Sequence, residues 1–213
     1  NILAETLTND YWTGWPFNLL NGNYYFSNDV PKFYFLISFI YKSPEYLLIS
    51  YLFFLVLIIK SKTFFKQKFE FFNYKLFLII CLLIFPNIVL FLTPYPVYDG
   101  MRLFLWSLPY FCIIPGLTIY YLIENFNFIK SRIAFLILSV FIIYFLHNFF
   151  LITPYQYTYL NLLNGKVENR YKKFENDYWG ASIRELIKHA RLEKKKTIKI
   201  STCGISDAIL IKH

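Results

Sequence analysis

Charged side chains are scarce in this 213-residue chain. Asp, Glu, Lys and Arg together make up 16% of the residues, whereas hydrophobic residues make up 57% and aromatic residues 23%. Ordinary soluble domains contain about 25% charged residues, and their surfaces depend on them. The composition therefore excludes a soluble enzyme and indicates a membrane protein.

Cysteine is also rare and forms no recognisable pattern. Cys81 and Cys112 lie inside apolar runs, and Cys203 has no partner at the spacing that zinc ligands require. The chain has no internal repeat, and it lacks the phosphate-binding loop, the dinucleotide-binding glycine pattern, the zinc-protease motif and the nucleophile elbow. The sequence predicts no cofactor and no metal site.

Positive charge exceeds negative charge, with 22 Lys and Arg against 13 Asp and Glu and a formal net charge of +9. In a soluble chain this excess would suggest a nucleic-acid partner. In an apolar chain it is better explained by basic residues at membrane surfaces and in the C-terminal segment. We expect the lipid bilayer as a partner and no nucleic acid.

Long apolar runs dominate the middle of the chain. Leu76–Pro94 and Leu103–Ile123 contain no charged residue, and each is long enough to cross a hydrocarbon core of about 30 Å as a helix. The mostly polar stretch Tyr95–Arg102 (YPVYDGMR) between them predicts a tight turn at a membrane surface. Such a turn makes the two helices antiparallel neighbours, with Asp99 and Arg102 at the edge of the groove between them.

The predicted fold class is an all-α polytopic membrane protein with about four transmembrane helices and one interfacial helix. Residues 1–43 form an extracytoplasmic loop, with a turn at Asn21-Gly22-Asn23, followed at Pro31–Tyr41 by a short apolar helix that is either interfacial or re-entrant. Ser43 is expected to cap the next helix and Pro44 to take its first position. Residues 44–154 form the bundle, with spans at about 44–60, 76–94, 103–123 and 133–154.

The loop over residues 61–75 is rich in lysine, which places it on the cytoplasmic side by the positive-inside rule. The turn with Arg102 and the C-terminal segment are then extracytoplasmic. Within the spans, Pro86, Pro109 and Pro115 predict kinks. The polar pair His147-Asn148 near the outer end of the last span is more often a contact between helices than a catalytic base.

Residues 155–213 are predicted to be a small extracytoplasmic α/β segment. Asn164-Gly165 marks a turn, and Ser182 with Glu185 forms a capping box before an amphipathic helix. Thr197–Ser201 then has the pattern of a strand, and Ser206–Ile211 that of a helix start. Because a lone strand and helix cannot bury their apolar faces, we expect the segment to be truncated. The start at Asn1, with Met101 as the single methionine, also predicts a fragment.

Three segments together resemble the C-terminal half of membrane glycosyltransferases of the GT-C type, specifically bacterial relatives of the dolichyl-phosphate-mannose protein mannosyltransferases. They cover most of the chain in the same order and spacing. The Y-D-G-x-R turn that enters a span and the later D-Y-W-G before a helix are the more specific parts. The segments are Phe17–Pro31 (FNLLNGNYYFSNDVP), Tyr98–Pro109 (YDGMRLFLWSLP) and Tyr155–Glu185 (YQYTYLNLLNGKVENRYKKFENDYWGASIRE).

The resemblance implies an enzyme of the bacterial inner membrane that transfers a sugar from a polyprenyl-phosphate carrier to an acceptor on the extracytoplasmic side. Family enzymes use an acidic residue of their first extracytoplasmic loop as general base, and that loop would lie upstream of Asn1. The catalytic base is therefore expected outside this chain. These relatives often have a histidine directly after the arginine of the turn, where this chain has Leu103.

The candidate residues for binding the donor phosphate are Arg102, Tyr98 and Asp99. An arginine at the outer end of a span can hold a phosphate with charge-assisted hydrogen bonds and stabilise the leaving group. Asp99 can orient Arg102, and Tyr98 can donate to the phosphate. A purely structural alternative is an Asp–Arg pair that caps the helix and extends to the surface. A second candidate group consists of Asp177, Tyr178 and Trp179. These residues are expected either to contact the acceptor or to hold the outer segment on the membrane.

A rival function stays open at this point. A transporter or flippase subunit that handles lipid-linked sugars would have a similar composition. Such proteins usually place ionisable groups at the middle of the membrane. The spans of this chain are nearly free of charge, and their polar residues cluster at the outer surface, which favours the glycosyltransferase.

Overall fold

A computed structural model describes residues 17–27, 29–93, 97, 100–175 and 185. The described part is mostly helical and contains one small sheet. A β-hairpin comes first, with strands β1 (Phe17–Leu20) and β2 (Asn23–Phe26). The α-helices follow: α1 (Tyr34–Lys42), α2 (Glu45–Lys60), α3 (Lys62–Lys68), α4 (Phe72–Leu92), α5 (Leu108–Glu124), α6 (Ile129–Leu151) and α7 (Val167–Arg170). Short 3₁₀ helices occupy Arg102–Ser107, Gln156–Thr158 and Leu162–Asn164.

Three helical stretches are long and apolar enough to cross a membrane: Phe72–Leu92, Arg102–Glu124 and Ile129–Leu151. Only 6% of the most apolar 18-residue segment of α6 is buried, so the apolar side chains of this helix lie on the outside. An apolar surface of this kind suits hydrocarbon rather than water. These stretches agree with three of the predicted spans.

The fourth predicted span, at 44–60, is not a single helix that is long enough to cross the membrane. Helix α2 has 16 residues, which is fewer than the roughly 20 that a straight span requires. It reaches the necessary length only together with α1, and the two helices meet at a bend of 110°. The pair is therefore a broken span or a re-entrant element by its geometry.

Part of the predicted extracytoplasmic loop forms a β-hairpin over Phe17–Phe26, which the sequence did not predict. The turn itself is confirmed. Asn21 and Gly22 both have positive φ, of 49° and 90°, as in the type I′ turns that match the twist of a two-residue hairpin. Leu20 also pairs with Phe174 in an isolated antiparallel bridge, and the Gly22 N–H donates to the Lys173 carbonyl at 3.0 Å.

The corner between α1 and α2 forms differently from the prediction. Helix α1 confirms the short helix expected at Pro31–Tyr41. The Ser43 side chain does not cap α2; instead the Ser43 N–H donates to the Phe39 carbonyl and closes α1. Pro44 precedes the first helical residue rather than occupying that position, and Glu45 lies in the first turn of α2.

Several boundaries and polar contacts also depart from the sequence reading. The lysine-rich loop contains helix α3, and α4 begins at Phe72 after a left-handed residue, Phe71. Pro109 lies in the first turn of α5, where proline is tolerated, and the break falls at Phe104, which has non-helical φ and ψ. The Asn148 side-chain amide donates to the Tyr144 carbonyl of its own helix.

Small and hydroxyl-bearing residues join α2 to α5. Ser50 and Thr118 are both fully buried, and the Thr118 hydroxyl donates to the Ser50 carbonyl at 3.0 Å. The Tyr51 hydroxyl donates to the Phe111 carbonyl at 2.8 Å, about two turns before Thr118 on α5. Small residues allow two helix backbones to approach closely, and hydroxyl groups then bond across the contact. This contact positions α1, which immediately precedes α2, against the first turn of α5.

Two apolar clusters fill the interior of the described part. One lies between α2, α3, α4 and α5 and consists of Phe54, Phe65, Phe72 and Ile114. The other surrounds α1 and joins the hairpin, the ends of α4 and α5 and the segment after α6. Its buried members are Leu20, Tyr34, Phe35, Phe39, Leu90, Val97, Phe104, Phe111, Leu160 and Phe174.

We expect Ser50→Leu to destabilise the bundle, because the added carbons have no room between α2 and α5. Overpacking of this kind costs about 1–3 kcal/mol. Thermal unfolding of the detergent-solubilised chain, followed by helical circular dichroism, measures the loss. Ser139→Leu is the matched control, since Ser139 is only partly buried and bonds within its own helix. Equal stability of the two variants would contradict the close α2–α5 contact.

Candidate functional site

The stretch that carries Arg102 is held against the hairpin. Val97 is fully buried; its N–H donates to the Ser27 carbonyl at 3.0 Å. The Val97 carbonyl accepts a bond of 2.6 Å from the Asn18 side-chain amide, which also donates to the Ser27 hydroxyl. Both polar side chains are buried and need partners to offset their loss of water. The bonds therefore tie residues near position 100 to the first two strands.

Tyr34, in the first turn of α1, joins the same two segments from the other side. Its hydroxyl accepts the Gly100 N–H at 2.8 Å and donates to the Asn18 side-chain oxygen at 3.3 Å. Tyr34 is 2% exposed, so both bonds lie away from bulk water. The backbone of the turn thereby has a defined position relative to α1.

The backbone shape of this turn favours Gly100, and the end of the Lys42 side chain occupies the space beside it. The φ of 63° at Gly100 is in the left-handed region, which glycine adopts without strain. A Cβ atom at this position would lie 2.7 Å from Nζ of Lys42, which is too close for a real contact. Lys42 is half-buried at the end of α1, and Nζ also donates to the Glu175 carbonyl at 3.3 Å.

Arg102 begins the 3₁₀ helix that leads into α5, and its side chain is exposed. Two residues later, Phe104 is buried and packs edge-on against Phe35 of α1, with ring centroids 4.9 Å apart. Arg102 thus lies at the surface, two residues before a buried member of the apolar cluster around α1. The other predicted site residues lie outside the described residues: Tyr98, Asp99, Asp177, Tyr178 and Trp179.

An apolar cavity of about 520 Å³ lies between α1, α2, α4 and α5. Its floor includes Phe35 and Phe111, and its outer wall includes Leu36 and Ile84, which are 42% and 49% exposed. Asn87 contributes a buried side-chain oxygen that has no hydrogen-bond partner among the described residues. Because Phe35 contacts both the cavity and Phe104, the cavity begins close to the turn with Arg102.

A second polar cluster fixes the segment after α6 to the α1–α2 corner. The Glu45 carboxylate is 6% exposed and accepts the Tyr159 hydroxyl at 2.5 Å and the Leu162 N–H at 2.8 Å. The Asn161 amide donates to the Ile40 and Ser43 carbonyls, at 2.6 and 2.9 Å. Burial, together with the bond to Glu45, raises the pKa of Tyr159 above its ordinary value.

The three segments that carry the family resemblance therefore meet around α1. The first forms the hairpin, the second provides Gly100 and Arg102, and the third provides Tyr159, Phe174 and Glu175. Sequence reasoning missed Tyr34, Glu45 and Lys42 as members of this site. Tyr34 bonds to Gly100, Glu45 to Tyr159 and Lys42 to Glu175, which lie 66, 114 and 133 positions away, and no local spacing indicates such contacts.

Within the described ranges, no three His, Cys, Asp or Glu side chains come together as a metal ion would require. The Asn164-Gly165 turn is confirmed, with φ of 78° at Gly165. The capping box at Ser182, the strand at Thr197–Ser201 and the helix start at Ser206–Ile211 lie outside the described residues.

No family model, curated protein or solved structure matches this chain.

We expect Tyr159→Phe to destabilise the chain, because it removes the donor to the buried Glu45 carboxylate. A hydrogen bond to a charged group contributes about 1.5–3 kcal/mol. Thermal unfolding in detergent at pH 8 measures the loss. Tyr24→Phe is the control, since Tyr24 is 75% exposed and its change should be below about 0.5 kcal/mol.

The raised pKa of Tyr159 also gives this prediction a pH dependence. The folded chain holds the phenol proton more tightly than the unfolded chain does, so the contribution to stability is complete below the unfolded pKa of about 10. It is lost as the pH rises through the folded pKa. Tyr159→Phe should therefore cost most at neutral pH and least in strong alkali. A cost that is independent of pH would contradict the role of the proton in this bond.

Proposed function

We propose that this chain is part of an integral-membrane glycosyltransferase. The enzyme transfers a sugar from a polyprenyl-phosphate carrier to an acceptor on the extracytoplasmic side of a bacterial inner membrane. The observation that supports this proposal is the position of Arg102. It is an exposed cation at the start of the 3₁₀ helix that leads into α5, two residues before Phe104, whose ring packs against Phe35 in the wall of an apolar cavity. An amphiphile with an anionic head and a hydrocarbon chain has complementary charge and polarity.

Arg102 is the proposed ligand of the donor phosphate. A guanidinium group presents several donors in a planar arrangement that matches phosphate oxygens, and it remains charged at any physiological pH. During transfer the bond between the sugar carbon and the phosphate oxygen breaks, and its electron pair stays on the phosphate. Arg102 would stabilise that developing charge as well as bind the donor.

The remaining steps involve residues that the described structure does not include. The acceptor oxygen forms the new bond to the sugar carbon, and its proton goes to a carboxylate base that is not among the residues assigned here. Tyr98 would donate to the phosphate, and Asp99 would orient Arg102. Asp177, Tyr178 and Trp179 would contact the acceptor or hold the outer segment on the membrane.

The cavity beside α1 is the proposed location of the first part of the hydrocarbon chain. Its lining is mostly aromatic and aliphatic, and the outer wall has exposed apolar residues that lipid would cover. Each buried methylene contributes about 0.8 kcal/mol, so a few isoprene carbons supply useful binding free energy. The phosphate head group would then bind at Arg102, and the hydrocarbon chain in the cavity beside α1.

We expect Arg102→Ala to weaken binding of undecaprenyl phosphate by about tenfold or more, through loss of a charge-assisted contact. Native mass spectrometry of the detergent-solubilised chain measures the affinity. Arg132→Ala is the matched control, because Arg132 is also exposed but lies at the start of α6 and bonds to the Phe126 carbonyl. Unchanged binding in Arg102→Ala, with the wild type binding the lipid, would remove Arg102 from the site.

We expect Ile84→Trp to weaken binding of the same lipid by about tenfold, because the indole fills space equivalent to at least two buried methylenes of the chain. Ile80→Trp is the control on the same helix. Ile80 is similarly exposed, at 40%, and does not line the cavity. Neither variant should affect the affinity for methyl phosphate, which has no chain. Equal effects of the two tryptophans on lipid binding would place the chain elsewhere.

A further inference from the structure

Lys42 is a cation that enters the candidate site from a different element than Arg102. It is the last residue of α1, where a basic side chain interacts favourably with the helix C-terminus. Its side chain extends past that helix and reaches the turn before Arg102 on one side and the Glu175 carbonyl on the other. A favourable interaction with the helix C-terminus alone does not require the Lys42 side chain to extend this far.

The closest approach is to Gly100. A Cβ atom there would lie 2.7 Å from Nζ, 3.2 Å from Cε and 3.4 Å from Cδ of Lys42. The end of the lysine side chain therefore lies along the backbone of Gly100, two residues before Arg102. Any other residue at position 100 would displace it. The missing side chain at position 100 allows two cations from distant parts of the sequence to approach the same turn.

We propose that Lys42 is a second ligand of the phosphate and that it acts mainly on the charge that the phosphate gains during transfer. This inference rests on the function proposed above. In the donor, the phosphate is a diester with one negative charge. When the bond to the sugar breaks, the phosphate becomes a monoester and its charge rises towards two, since its second pKa is about 6.

Two cations match this change in charge better than one. Arg102 interacts with the charge that is present throughout, and Lys42 interacts with the additional charge on the leaving oxygen. A half-buried ammonium interacts more strongly with an anion than one in bulk water does. It also has three donors, so bonding to the Glu175 carbonyl is compatible with bonding to a phosphate oxygen.

The test compares three ligands that share one hydrocarbon chain. Undecaprenyl phosphate carries close to two charges at pH 8, methyl undecaprenyl phosphate carries one, and undecaprenol carries none. We expect Lys42→Ala to weaken binding of the monoester by about tenfold and of the diester by about twofold or less. Binding of the alcohol should not change. Native mass spectrometry of the detergent-solubilised chain measures all three affinities.

Matched variants separate charge from structure. Lys42→Gln keeps a donor for the Glu175 carbonyl but removes the charge, so it should behave like Lys42→Ala. Lys42→Arg should restore most of the monoester affinity. Lys62→Ala is the control for loss of one positive charge, because Lys62 is exposed at the start of α3. It should leave all three affinities unchanged.

The outcomes distinguish this inference from the proposed function. An equal loss for all three ligands in Lys42→Gln, or no loss at all, would overturn the role of Lys42 while binding of the lipid by the wild type stands. Failure of the wild type to bind either phosphate lipid better than undecaprenol would overturn the proposed phosphate site and, with it, this inference. A selective loss for the monoester would support both.

Discussion

The arrangement of the described chain depends on one buried hydroxyl group, that of Tyr34. It accepts the Gly100 N–H and donates to Asn18, and Asn18 in turn bonds to Ser27 and to the Val97 carbonyl. Each of these groups has lost its water, so each requires the others as partners. The hairpin, the first turn of α1 and the approach to Arg102 are consequently held in one arrangement, and the candidate site takes its shape from it.

The two ends of α1 perform different tasks. The first turn holds the backbone of the Arg102 turn through Tyr34, whereas the last residue, Lys42, brings a cation to the same turn. Between them, Phe35 and Phe39 bury their rings against Phe104 and Phe111. A helix of nine residues is too short to cross a membrane. It instead connects the hairpin to the corner with α2.

Polar and apolar contacts are separated along the molecule. The contact between α2 and α5 is made by small residues and hydroxyl groups, and the outer surfaces of α4 and α6 are apolar. Buried amides and carboxylates instead cluster around α1 and the segment after α6, at Asn18, Glu45, Asn161 and Asn164. A ligand with an anionic head and a hydrocarbon chain would meet both kinds of surface beside α1.

The sequence by itself determined the features that depend on local patterns. Uncharged runs of sufficient length predicted three long apolar helices, and Asn21-Gly22 and Asn164-Gly165 predicted turns because few other residues adopt positive φ easily. Only the tertiary structure decided that α2 continues α1 at 110°, that Glu45 receives Tyr159 and that Lys42 reaches Gly100. The last two contacts join residues that are 114 and 58 positions apart. Packing of the whole bundle, rather than any local preference, brings these residues together.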